Sequence, residues 1–161
     1  PNRAIKAALM DRQIAPFAGY TTVRPEVKYG ENSRIDFLLT ETGLPDAYVE
    51  VKSATLSRTD GLVEFPDSVT KRGTKHLGEL AQMARDGHRA VLLYLVQRTD
   101  CGTFCVAADI DPAYAAAFAD ARAAGLETHV IGTHISPQGV SVAGTIPLID
   151  PPALVLGNQA G

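Results

Sequence analysis

The chain has 161 residues, the usual size of one domain, and that length can bury a single core. Hydrophobic residues make up 45% and charged residues of both signs 20%, which describes an ordinary globular protein and excludes long disorder. The net charge of -3 excludes a global electrostatic pull on a polyanion, so any nucleic-acid binding is expected to come from a local patch or from a further domain. No apolar run reaches the roughly 20 residues of a membrane-spanning helix, and the start lacks a secretory apolar region. The expectation is a cytoplasmic protein with no membrane contact. The sequence opens on Pro1 and not on methionine, which sets the expectation of a further N-terminal segment in the native protein. Cys101 and Cys105 form a C-x-x-x-C pair with no partner cluster, so they read as reduced structural cysteines.

In chain order, residues 3–14 carry Ile5, Leu9 and Met10 at helical spacing, with Asn2 as N-cap, and Pro16 and Gly19 end the helix. Residues 20–29 are rich in β-branched and aromatic side chains, and Pro25 confines that strand to an edge. A turn over Gly30, Glu31, Asn32 and Ser33 leads into a strand over residues 33–40; Gly43, Leu44, Pro45 and Asp46 then turn into a strand over residues 47–54. Residues 57–66 read as a loop with a short strand at 62–65. Asp67 or Ser68 caps a helix running to Asp86, stopped by Gly87, with Gly73, Leu77, Leu80, Ala81 and Ala84 on its packed face. Residues 89–97 are an almost unbroken apolar run, as expected of a central strand covered on both faces. A loop with both cysteines follows, then a helix opened by Asp111 and Pro112 and ended by Gly125, and strands over residues 127–135 and 140–148. The fold class is α/β, a mixed central sheet flanked by helices, spanning residues 1–150 as one domain with 151–161 as a C-terminal tail.

The hairpin over residues 33–54 holds the unusual charges. A two-residue side-chain period puts Ile35, Phe37 and Leu39 on one face and Asp36 on the other, and sets Glu50 and Lys52 together. Charges in such apolar strands must be paired or ligand-bound, because burying an unpaired charge is very costly. An antiparallel pairing would bring Asp36 close to Glu50, so two acids and an amine at this spacing indicate a site. Outside the hairpin, Lys71 and Lys75 lie one turn apart on one flank of the second helix, with Arg72 and His76 on the other, making its start the most basic place in the chain.

An acid followed by Glu-x-Lys in this element order resembles the PD-(D/E)XK, restriction-endonuclease-like core. Longer strings are more specific: KYGENSRIDFLL, YVEVKSATL, FPDSVTKRGTKHLGEL, GHRAVLLYLVQRTD and IDPAYAAAF resemble the sugar fermentation stimulation protein (SfsA) family from Pro1 to about Asp150. The resemblance implies a DNA-binding protein linked to regulation of sugar metabolism, in which an N-terminal OB-like domain precedes the nuclease-like one. This sequence has no OB-like segment, so only the nuclease-like half carries over.

By this resemblance Asp36, Glu50 and the Val51 carbonyl hold Mg2+, with Mn2+ as a substitute, and Lys52 positions water and stabilises charge on a scissile phosphate. DNA is the implied partner, with Lys71, Arg72, Lys75, His76, Gln97 and Arg98 as phosphate-binding candidates. Two readings stay open at this point: a Mg-dependent deoxyribonuclease and a non-enzymatic DNA-binding or regulatory module on the same fold. Edge strands at residues 20–29 and 140–148 leave a homodimer as a further expectation. Glu26 would be an extra metal ligand if its strand lies next to Asp36.

Overall fold

Alternating apolar residues on either side of short Gly- and Asp-containing turns produce a hairpin-rich first half, and capped amphipathic helices interrupt the strands of the second. The computed structural model describes residues 2–150; the expected tail over residues 151–161 lies outside them. In order, the elements are α1 (Asn2–Met10), a 3-10 turn (Ala15–Phe17), β1 (Thr22–Tyr29), β2 (Ser33–Thr40), β3 (Ala47–Ala54), β4 (Leu56–Thr59) and β5 (Leu62–Phe65). They continue with α2 (Lys71–Arg85), β6 (Arg89–Val96), β7 (Thr103–Val106), α3 (Pro112–Ala123), β8 (Glu127–Ser136) and β9 (Gly139–Thr145).

The main sheet has six strands in the order β1-β2-β3-β6-β8-β9, and a second sheet has three in the order β4-β5-β7. β3 pairs with β6, and β6 with β8, in parallel, whereas the two flanking hairpins are antiparallel, so the sheet is mixed as expected. Residues Ala90 to Val96 of β6 are buried without exception, the pattern of a strand covered on both faces. One face of the sheet packs under α2 and α3, where Leu92, Tyr94, Leu77, Leu80, Tyr114 and Phe118 meet. The other packs under α1, where Ile5, Leu9, Phe17, Phe37, Leu39 and Leu93 meet.

Asp111 ties the two helices of the first layer together. Its carboxylate accepts from Tyr114 N at 3.0 Å, capping α3, and from Thr70 N at 2.8 Å, at the start of α2. Thr70, rather than Asp67 or Ser68, is the N-cap of α2, its hydroxyl accepting from Gly73 N at 3.0 Å. Gly73 permits the close approach of the helices, since a Cβ there would stand 3.2 Å from the Tyr114 ring.

The structure departs from the sequence expectation in four further places. α1 begins at Asn2 and ends at Met10, so Asn2 is the first helical residue and not its cap. β4 and β7 form where loops were expected; both are four residues long and are held by pairing to β5, with Val63 opposite Phe104. β9 stops at Thr145, because Ile146 N donates to Val130 O and Phe104 N to Pro147 O as the chain crosses to the second sheet. Finally, Ile35 does not share a face with Phe37 and Leu39. Ile35 packs with the α2 layer, while Phe37 and Leu39 pack with the α1 layer. Opposite Asp36, between the pairs Pro25–Phe37 and Val27–Ile35, Glu26 takes a left-handed backbone with φ 53°. The hairpin turns over at that level, and its far half, with Val27 and Tyr29, folds toward α2.

Candidate metal and nucleic-acid site

The β2–β3 ladder runs only from Leu39–Ala47 to Phe37–Val49, so the two strands separate just where Asp36 and Glu50 follow. In place of the next ladder bond, Asp36 Oδ2 accepts from Val51 N at 2.7 Å. The N–H and C=O of one residue leave an extended strand on the same edge, so the Val51 carbonyl faces this gap. The other Asp36 oxygen accepts from Asn2 Nδ2 at 2.9 Å, which brings the first turn of α1 to the site. Asn2 was expected only as a cap; a contact across 34 positions has no local signal in the sequence.

Glu50 is 4% exposed. Its Oε1 lies 3.5 Å from Lys52 Nζ and 2.7 Å from His76 Nδ1. The period-2 expectation for Glu50 and Lys52 is therefore met. The imidazole contact is close but out of line for a hydrogen bond, and Nδ1 has no other partner. His76, expected on an exposed flank as a phosphate ligand, is 7% exposed and turned inward onto Glu50, because three residues after Gly73 it falls on the packed edge of α2.

A second polar cluster adjoins the first. Glu79, one turn after His76, accepts from Ser33 Oγ at 2.8 Å through Oε1, while its buried Oε2 is unpartnered. Gly30, at φ 57°, allows the β1–β2 turn to seat here, since a Cβ would stand 2.8 Å from Glu79 Oε2. The Tyr29 hydroxyl is also buried and unpartnered. Burial first, then the carboxylates of Glu50, Glu79 and Asp36, push its ionisation far above the usual range, so it stays a neutral phenol.

The remaining candidates divide. Lys71, Arg72 and Lys75 are exposed at the start of α2. Lys75 also donates to Glu31 O at 3.4 Å and lies 3.7 Å from Glu79 Oε1. Arg98 is not a free cation: Asp100 holds its guanidinium at 2.7 and 2.9 Å, and Thr55 O accepts from it at 3.2 Å. Gln97 is half-buried just past β6, its N–H donating to Ala54 O at 3.3 Å. Among the described residues no three His, Cys, Asp or Glu side chains converge as a metal cage, so Glu26 does not complete one with Asp36 and Glu50. Asp36 and Glu50 flank the point where β2 and β3 part, Asp36 with its carboxylate on Val51 N and Asn2 and Glu50 with its own against His76 and Lys52. Carboxylate and main-chain oxygens are the ligand type that Mg2+ takes, commonly through one or two carboxylates with water completing the shell. No helix among the described residues is long and apolar enough to cross a membrane.

Comparison with known proteins bears on the whole arrangement. The family model described as "Sugar fermentation stimulation protein RE domain" matches residues 1–139. Sugar fermentation stimulation protein homologs from Roseobacter denitrificans and Ruegeria pomeroyi are 68% and 69% identical over 92% and 89% of this chain. One from Agrobacterium fabrum is 53% identical over 91%. The chain spans 63%, 62% and 61% of the length of these three relatives. The solved structure of Pyrococcus furiosus SfsA in complex with Ca2+ is similar at a TM-score of 0.83 and 28% identity, covering 91% of this chain and 63% of that one. The fold is thus the expected restriction-endonuclease-like α/β core, and the chain belongs to the sugar fermentation stimulation protein (SfsA) family.

Proposed function

We propose that this chain is a DNA-associated, nuclease-like domain that binds a divalent cation, Mg2+ or Mn2+, through Asp36, Glu50 and the Val51 carbonyl and hydrolyses DNA phosphodiester bonds. The observation that carries the reading is the separation of β2 from β3 at Asp36 and Glu50, with Lys52 Nζ 3.5 Å from the Glu50 carboxylate. That a related protein was solved in complex with Ca2+ supports a divalent cation. A cation held there would offset charge developing on a scissile phosphate and acidify a nearby water. Lys52, 20% exposed and tethered by Glu50, reaches solvent at the gap and can donate to a phosphate oxygen or orient the attacking water. Asn2 and the Val51 N–H hold Asp36 in one rotamer, leaving its remaining lone pairs for the cation. Exposed Lys71, Arg72 and Lys75 at the positive end of α2 supply sequence-independent phosphate contacts.

A second reading, a non-enzymatic DNA-binding or regulatory module, draws on the Asp36 carboxylate, both of whose oxygens already accept a hydrogen bond. Incubation of single- and double-stranded DNA with Mg2+ or Mn2+ separates the two. The proposal expects cleavage by the wild type and a loss of about 100-fold or more in Asp36→Ala and Lys52→Ala. Equal cleavage by all three proteins would remove the assigned roles, and no cleavage alongside retained DNA binding would favour the module.

A further inference from the structure

The backbone fixes Asp36, through the Val51 N–H, but among the described residues no main-chain bond fixes the direction of the Glu50 side chain. Among the described residues two ionisable side chains lie within 4 Å of that carboxylate. Lys52 sits on a flexible stem and is 20% exposed, whereas His76 is a short, buried ring on a long helix, 2.7 Å away. α2 is itself anchored at both sides of the gap. Thr70 and Asp111 hold its start, and Glu79, one turn beyond His76, holds Ser33 at the head of β2. Three of the four buried, unpartnered side-chain polar atoms among the described residues belong to this neighbourhood: Tyr29 Oη, His76 Nδ1 and Glu79 Oε2. The fourth is Thr128 Oγ1, on β8. Unspent hydrogen-bonding capacity concentrated at one place is costly, and its concentration here needs a reason beyond packing.

We infer that α2 sets the position of the Glu50 carboxylate for the cation, with His76 as the positioning residue and Glu79 as the anchor of α2 on β2. This rests on the divalent-cation reading above and names what aims one of its ligands. The polar contact of Nδ1 holds Glu50 Oε1 at 2.7 Å on the helix side, so the other carboxylate oxygen is left for the gap. Groups that orient a ligand in this way commonly change metal affinity about 10- to 100-fold when removed.

The test uses the 161-residue chain, Ca2+ alone as probe, and calorimetry of wild type, His76→Leu and His76→Asn. Leucine keeps the bulk and removes the nitrogen; asparagine returns an amide nitrogen near the place of Nδ1. The expected result is a Ca2+ affinity about 10- to 100-fold weaker in His76→Leu and within about threefold of wild type in His76→Asn. Unfolding temperatures are recorded alongside, so that a folding defect in the leucine variant is recognised; His76→Ala, with the same expected loss and the same overturning result, then takes its place. Equal Ca2+ affinity in all three proteins would overturn the positioning role while leaving the cation reading intact; no binding by the wild type would overturn the cation reading itself. A crystal structure of metal-free His76→Leu reads the role without any cation: a Glu50 carboxylate turned away from position 76 supports it, and an unmoved one sinks it.

Discussion

Replacing Glu50 with glutamine removes one charge at nearly constant shape, and its effect on stability follows from the surroundings. Glu50 is 4% exposed, so the wild-type carboxylate loses several kcal/mol of hydration on folding, as buried ions generally do. Lys52 at 3.5 Å returns about 5 kcal/mol at an effective dielectric of about 20. Gain and loss nearly cancel, and the freed Lys52 is exposed enough to reach water. Metal-free Glu50→Gln should therefore unfold within about 1 kcal/mol of wild type, or about 2–4 °C in Tm. With divalent cation at about 100 times its Kd, wild type gains about 2.7 kcal/mol, or about 5–10 °C, whereas the variant gains almost nothing. Thermal unfolding followed by circular dichroism, with Ca2+ against an ionic-strength-matched monovalent salt, reads both quantities. An equal Ca2+ shift in both proteins would show that Glu50 is not a ligand. A metal-free loss above about 4 kcal/mol would show that it is a structural linchpin instead.

Other consequences follow from the same contacts. Asp111→Ala removes the α3 cap and leaves Thr70 N without its acceptor, so urea unfolding should report a loss of about 2–4 kcal/mol. Lys71→Ala with Arg72→Ala, both exposed, should leave urea stability within about 0.5 kcal/mol but lower the salt slope of DNA binding by up to about 2; an unchanged slope would take this helix out of the DNA interface. Acid sensitivity has a defined sign. Hydrogen bonds from Arg58 hold the Asp109 carboxyl at about 2, and those from Thr70 N and Tyr114 N hold Asp111 below its ordinary value. Depressed folded-state values contribute stability that is complete above the unfolded value of about 3.9 and disappears as pH falls through the folded ones. Urea midpoints should fall between about pH 4 and pH 2, and less so in Arg58→Met, which frees Asp109.

What could be read from the sequence depended on how local the cause was. β2 and β3 have the bounds expected of them, because alternation on both sides of Gly43 to Asp46 is a local signal. α3 begins at Pro112 as expected, for the same reason. β4 and β7 have too few residues to show a period, and each exists by pairing with β5, β7 from some forty positions away. The change of face at Asp36 falls opposite the left-handed backbone of Glu26 on the neighbouring strand, which the β2 sequence does not encode. At the site, the Glu50–Lys52 pair follows from strand periodicity, but the partners of the two acids come from helices. His76 had a signal in the helical repeat, three residues after Gly73 and four before Leu80, and its polarity masked it. Asn2 had none, since only the packing of α1 across the sheet brings it to Asp36.

The central claim is that the gap between β2 and β3 is a divalent-cation site. A crystal of this chain soaked in Mn2+, with anomalous scattering recorded at the manganese edge, examines that gap directly. The account predicts an anomalous peak within about 2.5 Å of oxygens from Asp36 and Glu50 and of the Val51 carbonyl, lost in Asp36→Ala. A map with no peak there at millimolar Mn2+, or with one only at surface carboxylates elsewhere, would contradict it.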